Sequence, residues 1–216
     1  MNKQKNEIWN IPNILTLFRI FLIIPFLIFL FKDSWQAKLV SLCIFLLASI
    51  TDFFDGMLAR KLNQQTKFGN FMDPLADKLF VGAAFIALPS LQRDLFPFWM
   101  VFLIISREFI ITYLRIYAIS RHQEVKTLWL GKTKTTLQLV TITTILILLI
   151  VRAYIKTPIT GPLGMSIIEI FKTYFLNIET FIVYTPLFLM TITTFITVYS
   201  GILYIYKNRA LFMGDN

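Results

Sequence analysis

The sequence predicts an all-α integral membrane protein with six transmembrane helices. Of its 216 residues, 56% are hydrophobic and only 15% are charged. A soluble domain of this length would carry more charge and shorter apolar stretches. Several stretches approach the length of about 20 apolar residues that a helix needs to cross the hydrocarbon layer. We therefore expect a single membrane domain over residues 1–216, with no room for a second, soluble domain.

Six apolar stretches are predicted to span the membrane. Ahead of the first, Ile8, Trp9 and Ile11 indicate a short interfacial segment, because Trp favours the headgroup depth. Between the fifth and sixth, apolar and polar residues alternate at helical spacing over Met165–Leu176, which predicts an amphipathic helix on the membrane surface. The predicted spans are Ile14–Phe31, Trp35–Ala59, Pro74–Leu91, Leu95–Ile119, Thr135–Val151 and Phe181–Tyr206.

The charge distribution predicts the orientation of these spans. A net charge of +9 would suggest nucleic acid in a soluble protein, but here the basic residues lie between apolar spans. They suit loops beside anionic lipid, so no nucleic-acid partner is expected. With six spans, the side that holds both termini carries 12 of the 21 Lys and Arg residues and the other side carries 6. The positive-inside rule therefore places both termini on the cytoplasmic side of the cell membrane.

Acidic residues are concentrated in one part of the chain. Four of the seven aspartates lie between residues 52 and 77. Asp52 and Asp55 are three residues apart and Asp73 and Asp77 are four apart, so each pair shares one helix face. The first pair ends the second span and the second pair begins the third. A turn around Lys61–Met72 is therefore expected to bring both pairs to one depth at the cytoplasmic face.

Four carboxylates at a membrane boundary require compensation. Each intramembrane charge costs about 2.5 kcal/mol or more, and Arg60 and Lys78 are too few to balance four acids. Divalent cations that prefer oxygen ligands would neutralise the cluster, and two such ions can hold a phosphoryl group. Beside the acids, Gly56 and Ala59 leave room for a nucleotide, although a close helix contact explains them equally well. Arg60 adds a donor for phosphate oxygens. The pattern predicts a metal site for phosphate chemistry.

The acidic segment resembles the signature of the CDP-alcohol phosphatidyltransferase family. The matching run is Asp52-Phe-Phe-Asp55-Gly56-Met-Leu-Ala59-Arg60, eight residues, Gly69, three residues, Asp73, three residues and Asp77. All eight fixed positions agree. The resemblance implies CDP-diacylglycerol as donor, CMP as leaving group, two Mg²⁺ or Mn²⁺ ions and a homodimer.

The same resemblance implies roles for individual residues. The implied metal ligands are Asp52, Asp55, Asp73 and Asp77, and Asp77 also acts as general base on the acceptor hydroxyl. The implied CDP site is made of Asp52, Asp55, Gly56, Ala59, Arg60 and Gly69. Asn13 and Thr16, together with Arg19, are expected to reach the CDP or its pyrophosphate; snorkelling to the surface is an alternative account of Arg19.

Segments outside the signature resemble the branch of the family that uses glycerol 3-phosphate as acceptor. They are Asn10–Arg19, Phe71–Lys78, Ser106–Phe109 and Gly131–Thr135. The resemblance implies transfer of a phosphatidyl group from CDP-diacylglycerol to glycerol 3-phosphate. Inositol phosphate, serine and phosphatidylglycerol remain alternative acceptors within the family.

A phosphorylated acceptor needs a cationic pocket. Arg107 and Arg115, eight residues apart, are expected on similar sides of the fourth span, and Lys132 and Lys134 open the fifth. The alternatives are that Arg107 pairs with Glu108 or Asp73 and that the lysines are ordinary positive-inside residues.

Two other classes of protein compete with an enzyme. A divalent-cation transporter could use the same acids, but such sites usually lie near the membrane midplane on broken helices. A structural membrane subunit would leave four converging acids without a purpose.

Overall fold

The computed structural model describes residues 11–61, 67–91, 96–120, 129–156 and 176–209. Within these ranges the chain forms six helices and no strand, which confirms the all-α prediction. The helices are α1 (Ile11–Leu30), α2 (Trp35–Lys61), α3 (Lys67–Leu91), α4 (Phe98–Ser120), α5 (Trp129–Lys156) and α6 (Leu176–Lys207). Most of the two predicted surface segments, including Ile8, Trp9 and the residues from Met165 up to α6, lies outside the described residues.

The helices extend beyond most of the predicted spans. Helix α3 begins at Lys67, about two turns before Pro74, and α5 begins at Trp129, almost two turns before Thr135. An apolar pattern marks only the hydrophobic part of a helix, whereas backbone hydrogen bonding continues into its polar ends. The predicted turn around Lys61–Met72 was therefore too long, because only residues 62–66 separate α2 from α3.

Two described helices are long and apolar enough to cross a membrane by length and composition. They are Thr133–Ile155 within α5 and Tyr184–Lys207 within α6. Shorter apolar helical stretches cover Ile14–Leu30, Trp35–Thr51 and Lys78–Leu91. These findings agree with a membrane protein, and the full set of six spans stays a prediction.

The chain forms two compact units, each built from separate stretches. The first contains Met1–Ala87 and Thr143–Tyr174, and the second contains Leu88–Ile142 and Phe175–Asn216. The boundary thus falls inside α3 and inside α5. The prediction of a single domain over residues 1–216 stays a prediction.

The first unit is centred on three phenylalanine rings. Phe26 of α1, Phe45 of α2 and Phe80 of α3 are at most 2% exposed. Their ring centroids lie 5.4 to 6.1 Å apart. Tilted rings at this spacing combine close packing with a favourable quadrupole interaction. The three rings, called the phenylalanine triad below, show that α1, α2 and α3 pack side by side.

A tight connection makes α1 and α2 an antiparallel hairpin. Ser34 accepts a hydrogen bond from the backbone N–H of Ala37 at 3.2 Å, which is the usual capping contact at the start of a helix. The buried Lys38 donates its ammonium to the carbonyl of Leu30 at 3.2 Å, where the C-terminus of α1 favours positive charge. The connection therefore fixes how the two helices are aligned.

The second unit brings together α4, the first part of α5, and α6. Its buried apolar side chains include Ile104 of α4, Ile142 of α5 and Met190 of α6. Polar contacts join the same helices, and the hydroxyls of Thr141 and Thr193 lie 2.7 Å apart. Threonine pairs of this kind are common contacts between helices in apolar surroundings.

Candidate active site

The acidic pairs lie on helices at the predicted positions. Asp52 and Asp55 belong to the last three turns of α2, and Asp73 and Asp77 to the first three turns of α3. The other motif residues follow the same division: Gly56, Ala59 and Arg60 on α2, and Gly69 on α3. The side chains of these residues lie outside the described part of the structure, so the prediction that they bind metal and CDP is argued from helix positions alone.

The phenylalanine triad aligns these helix positions. Asp52 follows Phe45 by seven residues on α2, and Asp73 precedes Phe80 by seven residues on α3. Seven residues make about two turns and about 10 Å of helix, so each aspartate position returns to the face that carries its phenylalanine. Because the rings of Phe45 and Phe80 are in contact, positions 52 and 73 lie at a similar level on facing sides of α2 and α3.

Helix α1 contributes a buried cation at the corresponding level. Arg19 precedes Phe26 by seven residues, and it is 3% exposed. Thr16, one turn earlier, is 1% exposed, whereas the side chain of Asn13 lies outside the described residues. The burial of Arg19 argues against the alternative that it snorkels to the surface, since a snorkelling side chain would be exposed. Arg19 is therefore placed on the face of α1 that packs against α2 and α3.

The chemistry of these positions fits a hard divalent cation. Four carboxylates supply only oxygen donors, which Mg²⁺ and Mn²⁺ prefer, and their charge would balance two such ions. The contact between Phe45 and Phe80 supports a similar level for positions 52 and 73, as ligands of a shared site require. Among the side chains that the structure describes, no group of three or more His, Cys, Asp or Glu residues comes together. The side chains of the four aspartates are not among those that the structure describes.

A second group of charged residues connects α4, α5 and α6. Glu108 accepts hydrogen bonds from Arg107 at 3.2 Å, from Gln138 at 3.4 Å and from the ammonium of Lys134. Arg107 also donates to the hydroxyl of Ser200 at 2.9 Å. All five side chains are buried or half-buried. Among the described side chains, two cations and one carboxylate give this cluster one net positive charge, which suits an anionic ligand.

Only part of the predicted acceptor pocket lies in this cluster. Arg107 and Lys134 are each 9% exposed and share Glu108, whereas Arg115 is exposed. Eight residues correspond to about 80° of rotation around a helix, and this turns Arg115 away from the buried face. Arg107 and Arg115 therefore differ in burial, and the expectation that both contribute to one acceptor pocket stays a prediction. The side chain of Lys132 lies outside the described residues.

The alternative account of Arg107 is partly correct, because Arg107 does pair with Glu108. Whether Asp73 is a further partner falls outside the described side chains. Pairing and anion binding are compatible, since a guanidinium carries five N–H donors and the hydrogen bond to Glu108 uses one of them. Gln138 and Ser200 were missed by sequence reasoning. Polar residues in otherwise apolar spans are the signal that could have identified them.

Comparisons with known proteins identify the family of this chain. The family model for CDP-alcohol phosphatidyltransferase matches residues 9–206. A relative from Bacillus subtilis (strain 168), the CDP-diacylglycerol–glycerol-3-phosphate 3-phosphatidyltransferase, is 44% identical over 151 residues, covering 64% of this chain and 77% of that protein. The protein of that name from Escherichia coli (strain K12) is 43% identical over 140 residues, or 61% and 74% of the two chains. A probable phosphatidylglycerophosphate synthase from Mycobacterium tuberculosis (strain H37Rv) is 39% identical over 167 residues, or 76% and 74%. This chain therefore belongs to the CDP-alcohol phosphatidyltransferase family.

Proposed function

We propose that this enzyme transfers a phosphatidyl group from CDP-diacylglycerol to glycerol 3-phosphate and releases CMP. The observation that carries the proposal is the contact between Phe45 and Phe80, which supports a similar level for helix positions 52 and 73 on α2 and α3. The acceptor is supported by the names of the relatives and by the net positive cluster around Arg107 and Lys134.

The donor is assigned to the first unit. Small residues at positions 56, 59 and 69 would let the nucleotide approach the helix backbones of α2 and α3 closely. Arg60 would donate to phosphate oxygens, since a guanidinium matches their geometry. Thr16 and the buried Arg19 lie on the face of α1 that packs against α2 and α3, and with Asn13 they would bind the pyrophosphate.

The carboxylates of Asp52, Asp55, Asp73 and Asp77 would hold two Mg²⁺ or Mn²⁺ ions. When bound, such ions stabilise negative charge on a transferring phosphoryl group and on the departing phosphate. The carboxylates would in turn orient the donor, and the packing of α2 against α3 through Phe45 and Phe80 supports this role.

Asp77 is assigned the proton transfer. Its carboxylate would accept the proton of the acceptor hydroxyl, which must come within hydrogen-bond reach. The acceptor oxygen then bonds to the phosphorus that carries diacylglycerol, and the bond from that phosphorus to the bridging oxygen breaks. The bridging oxygen leaves as part of CMP.

The acceptor's phosphate is assigned to cations of the second unit. Arg107 and Lys134 are held together by Glu108, so an entering phosphate meets donors that are already ordered. Arg115 and Lys132 are proposed as weaker contributors, through charge alone for the exposed Arg115.

The setting of the reaction also belongs to the proposal. We place the enzyme in the cytoplasmic membrane with six spans, and with both termini and the active site on the cytoplasmic side. The distribution of Lys and Arg supports this orientation. A homodimer is proposed on family resemblance.

A headgroup competition assay tests the function. Purified enzyme in detergent micelles that contain CDP-diacylglycerol is given glycerol 3-phosphate, inositol phosphate, serine or phosphatidylglycerol, with Mg²⁺ or with a chelator. Release of CMP is expected with glycerol 3-phosphate and Mg²⁺, and chelation should abolish it. Metal-dependent release with another acceptor alone would retain the family and refute the acceptor. Metal flux into liposomes without any CMP would favour a transporter.

A further inference from the structure

The stem of Arg107 lies directly on the backbone of α6. A Cβ atom added at Gly201 would be 2.8 Å from Cγ of Arg107, 3.0 Å from Nε and 3.5 Å from Cδ. Separations below about 3 Å between such atoms are strongly repulsive, so any larger residue would push the arginine away. The absence of a side chain at position 201 therefore determines where the Arg107 stem lies.

Ser200, the neighbour of Gly201, orients the other end of the same side chain. Its hydroxyl donates to the carbonyl of Thr197 at 2.9 Å and accepts from Nη2 of Arg107 at 2.9 Å. Because the hydroxyl hydrogen is used on the helix's own carbonyl, a lone pair faces the guanidinium. Ser200 is 2% exposed, and in such surroundings a hydrogen bond to a charged group is strong.

These contacts leave much of the guanidinium's capacity unused. Of its five N–H donors, Glu108 and Ser200 accept one each. Among the described residues, Nε of Arg107 is buried without a hydrogen-bond partner, and so is the hydroxyl of Tyr204, one turn after Ser200 on α6. Buried polar groups in native proteins are nearly always satisfied. An arginine held in place but only partly bonded is suited to receive an anion.

We propose that Ser200 and Gly201 form a seat on α6 that positions Arg107 for the acceptor's phosphate. This inference rests on the proposed function and adds a role for α6, which carries none of the signature residues. Recognition of a phosphate by a guanidinium depends on the angle of its planar fork. A shift in the seat thus weakens acceptor binding without altering the donor side.

The test uses two seat variants, Ser200→Ala and Gly201→Ala, in the full-length enzyme. Two matched controls exist in the chain. Ser41→Ala removes a buried hydroxyl that donates only to its own helix, to the carbonyl of Lys38 at 2.8 Å. Gly82→Ala adds a Cβ to a helical glycine that has nothing within 4 Å of that position. Ser200→Thr keeps the hydroxyl and serves as the conservative variant.

The KM for glycerol 3-phosphate and the KM for CDP-diacylglycerol are measured separately for each variant. The seat predicts that both seat variants raise the acceptor KM by about tenfold or more, as expected for a lost bond to a charged group. In both seat variants the KM for CDP-diacylglycerol should stay within about twofold of wild type. The lost contact binds the acceptor alone, so binding of the donor is unaffected. Ser200→Thr keeps the hydroxyl and should therefore keep the acceptor KM close to the wild-type value. Both control variants should have wild-type KM values.

The outcomes separate the seat from the proposed function. If wild type turns over glycerol 3-phosphate but Ser200→Ala leaves the acceptor KM unchanged, the seat is wrong and the function stands. Equal rises in both KM values would indicate a general structural role and would also overturn the seat. If Gly201→Ala fails to fold, the comparison of Ser200→Ala with Ser200→Thr still tests the seat. A wild type without turnover on glycerol 3-phosphate would overturn the function and the seat together.

Discussion

The helices inside each compact unit are joined by a different kind of contact. In the first, three aromatic rings from α1, α2 and α3 fill the interface, and Phe26 and Phe45 are fully buried. In the second, an ion cluster and the pair Thr141–Thr193 connect the helices. In lipid, burial of apolar surface gives little driving force for helix association. Close packing and hydrogen bonds between helices stabilise the association instead.

This difference corresponds to what each unit is proposed to do. Positions 52 and 73 lie about two turns from the contact between Phe45 and Phe80, which sets the spacing of α2 and α3 at that point. Such a fixed spacing suits metal ions, which require ligands at defined distances. The second unit instead uses side chains on flexible stems, such as Arg107 and Lys134, which hydrogen bonds hold in place. Such side chains suit the recognition of a small phosphorylated acceptor.

The largest expected effect comes from Asp77→Asn. Asparagine keeps the size of the side chain but cannot accept the acceptor's proton and is a weaker metal ligand. CMP release should fall by about 10³-fold or more, within the range that general-base catalysis and metal binding contribute. The measurement is turnover with CDP-diacylglycerol and glycerol 3-phosphate at saturating Mg²⁺.

Asp33→Asn is the matched control for this change, because Asp33 is exposed in the connection between α1 and α2. Its turnover should equal wild type. An Asp77→Asn enzyme with near-normal turnover would exclude Asp77 as the base and would weaken the link between the first unit and the chemistry.

A smaller effect is expected when the two arginines of α4 are compared. Arg107→Gln removes a buried guanidinium and should raise the KM for glycerol 3-phosphate by about 30-fold, since a charged contact to phosphate is lost. Arg115→Gln changes an exposed side chain and should raise it by no more than about threefold. Steady-state kinetics with varied acceptor distinguish the two.

The reverse order, with Arg115→Gln more damaging than Arg107→Gln, would contradict the acceptor site drawn around Glu108. Loss of donor affinity in Arg107→Gln would assign that arginine to the nucleotide instead.

The smallest effects concern stability. Phe80→Ala leaves a cavity in the phenylalanine triad and should lower the free energy of unfolding by about 3 kcal/mol. Thr193→Val removes the contact with Thr141, and bonds of this kind between membrane helices average about 0.6 kcal/mol. Unfolding in mixed SDS and dodecylmaltoside micelles measures both. If the two variants lost equal free energy of unfolding, the proposed difference between the contacts inside the two units would be wrong.

Much of the fold and of the site followed from local pattern. Long apolar stretches predicted the helices, because crossing a bilayer demands about 20 apolar residues. Spacings of three and four residues placed Asp52 with Asp55 and Asp73 with Asp77 on shared helix faces, since the helical period is 3.6. The ends of α3 and α5 were missed, as polar helix ends leave no hydrophobic pattern.

The pairing of side chains between distant parts of the chain could not be predicted in this way. Arg107 and Arg115 were both predicted to contribute to the acceptor pocket, and only the packing of α4 showed that Arg107 is buried and Arg115 exposed. The seat formed by Ser200 and Gly201 lies more than ninety residues from Arg107 along the chain. Sequence alone determined the helices and the acidic signature, which depend on neighbouring residues. Tertiary packing decided the partners of Arg107 and the level shared by Arg19, Asp52 and Asp73, because these depend on which helices meet and at what depth.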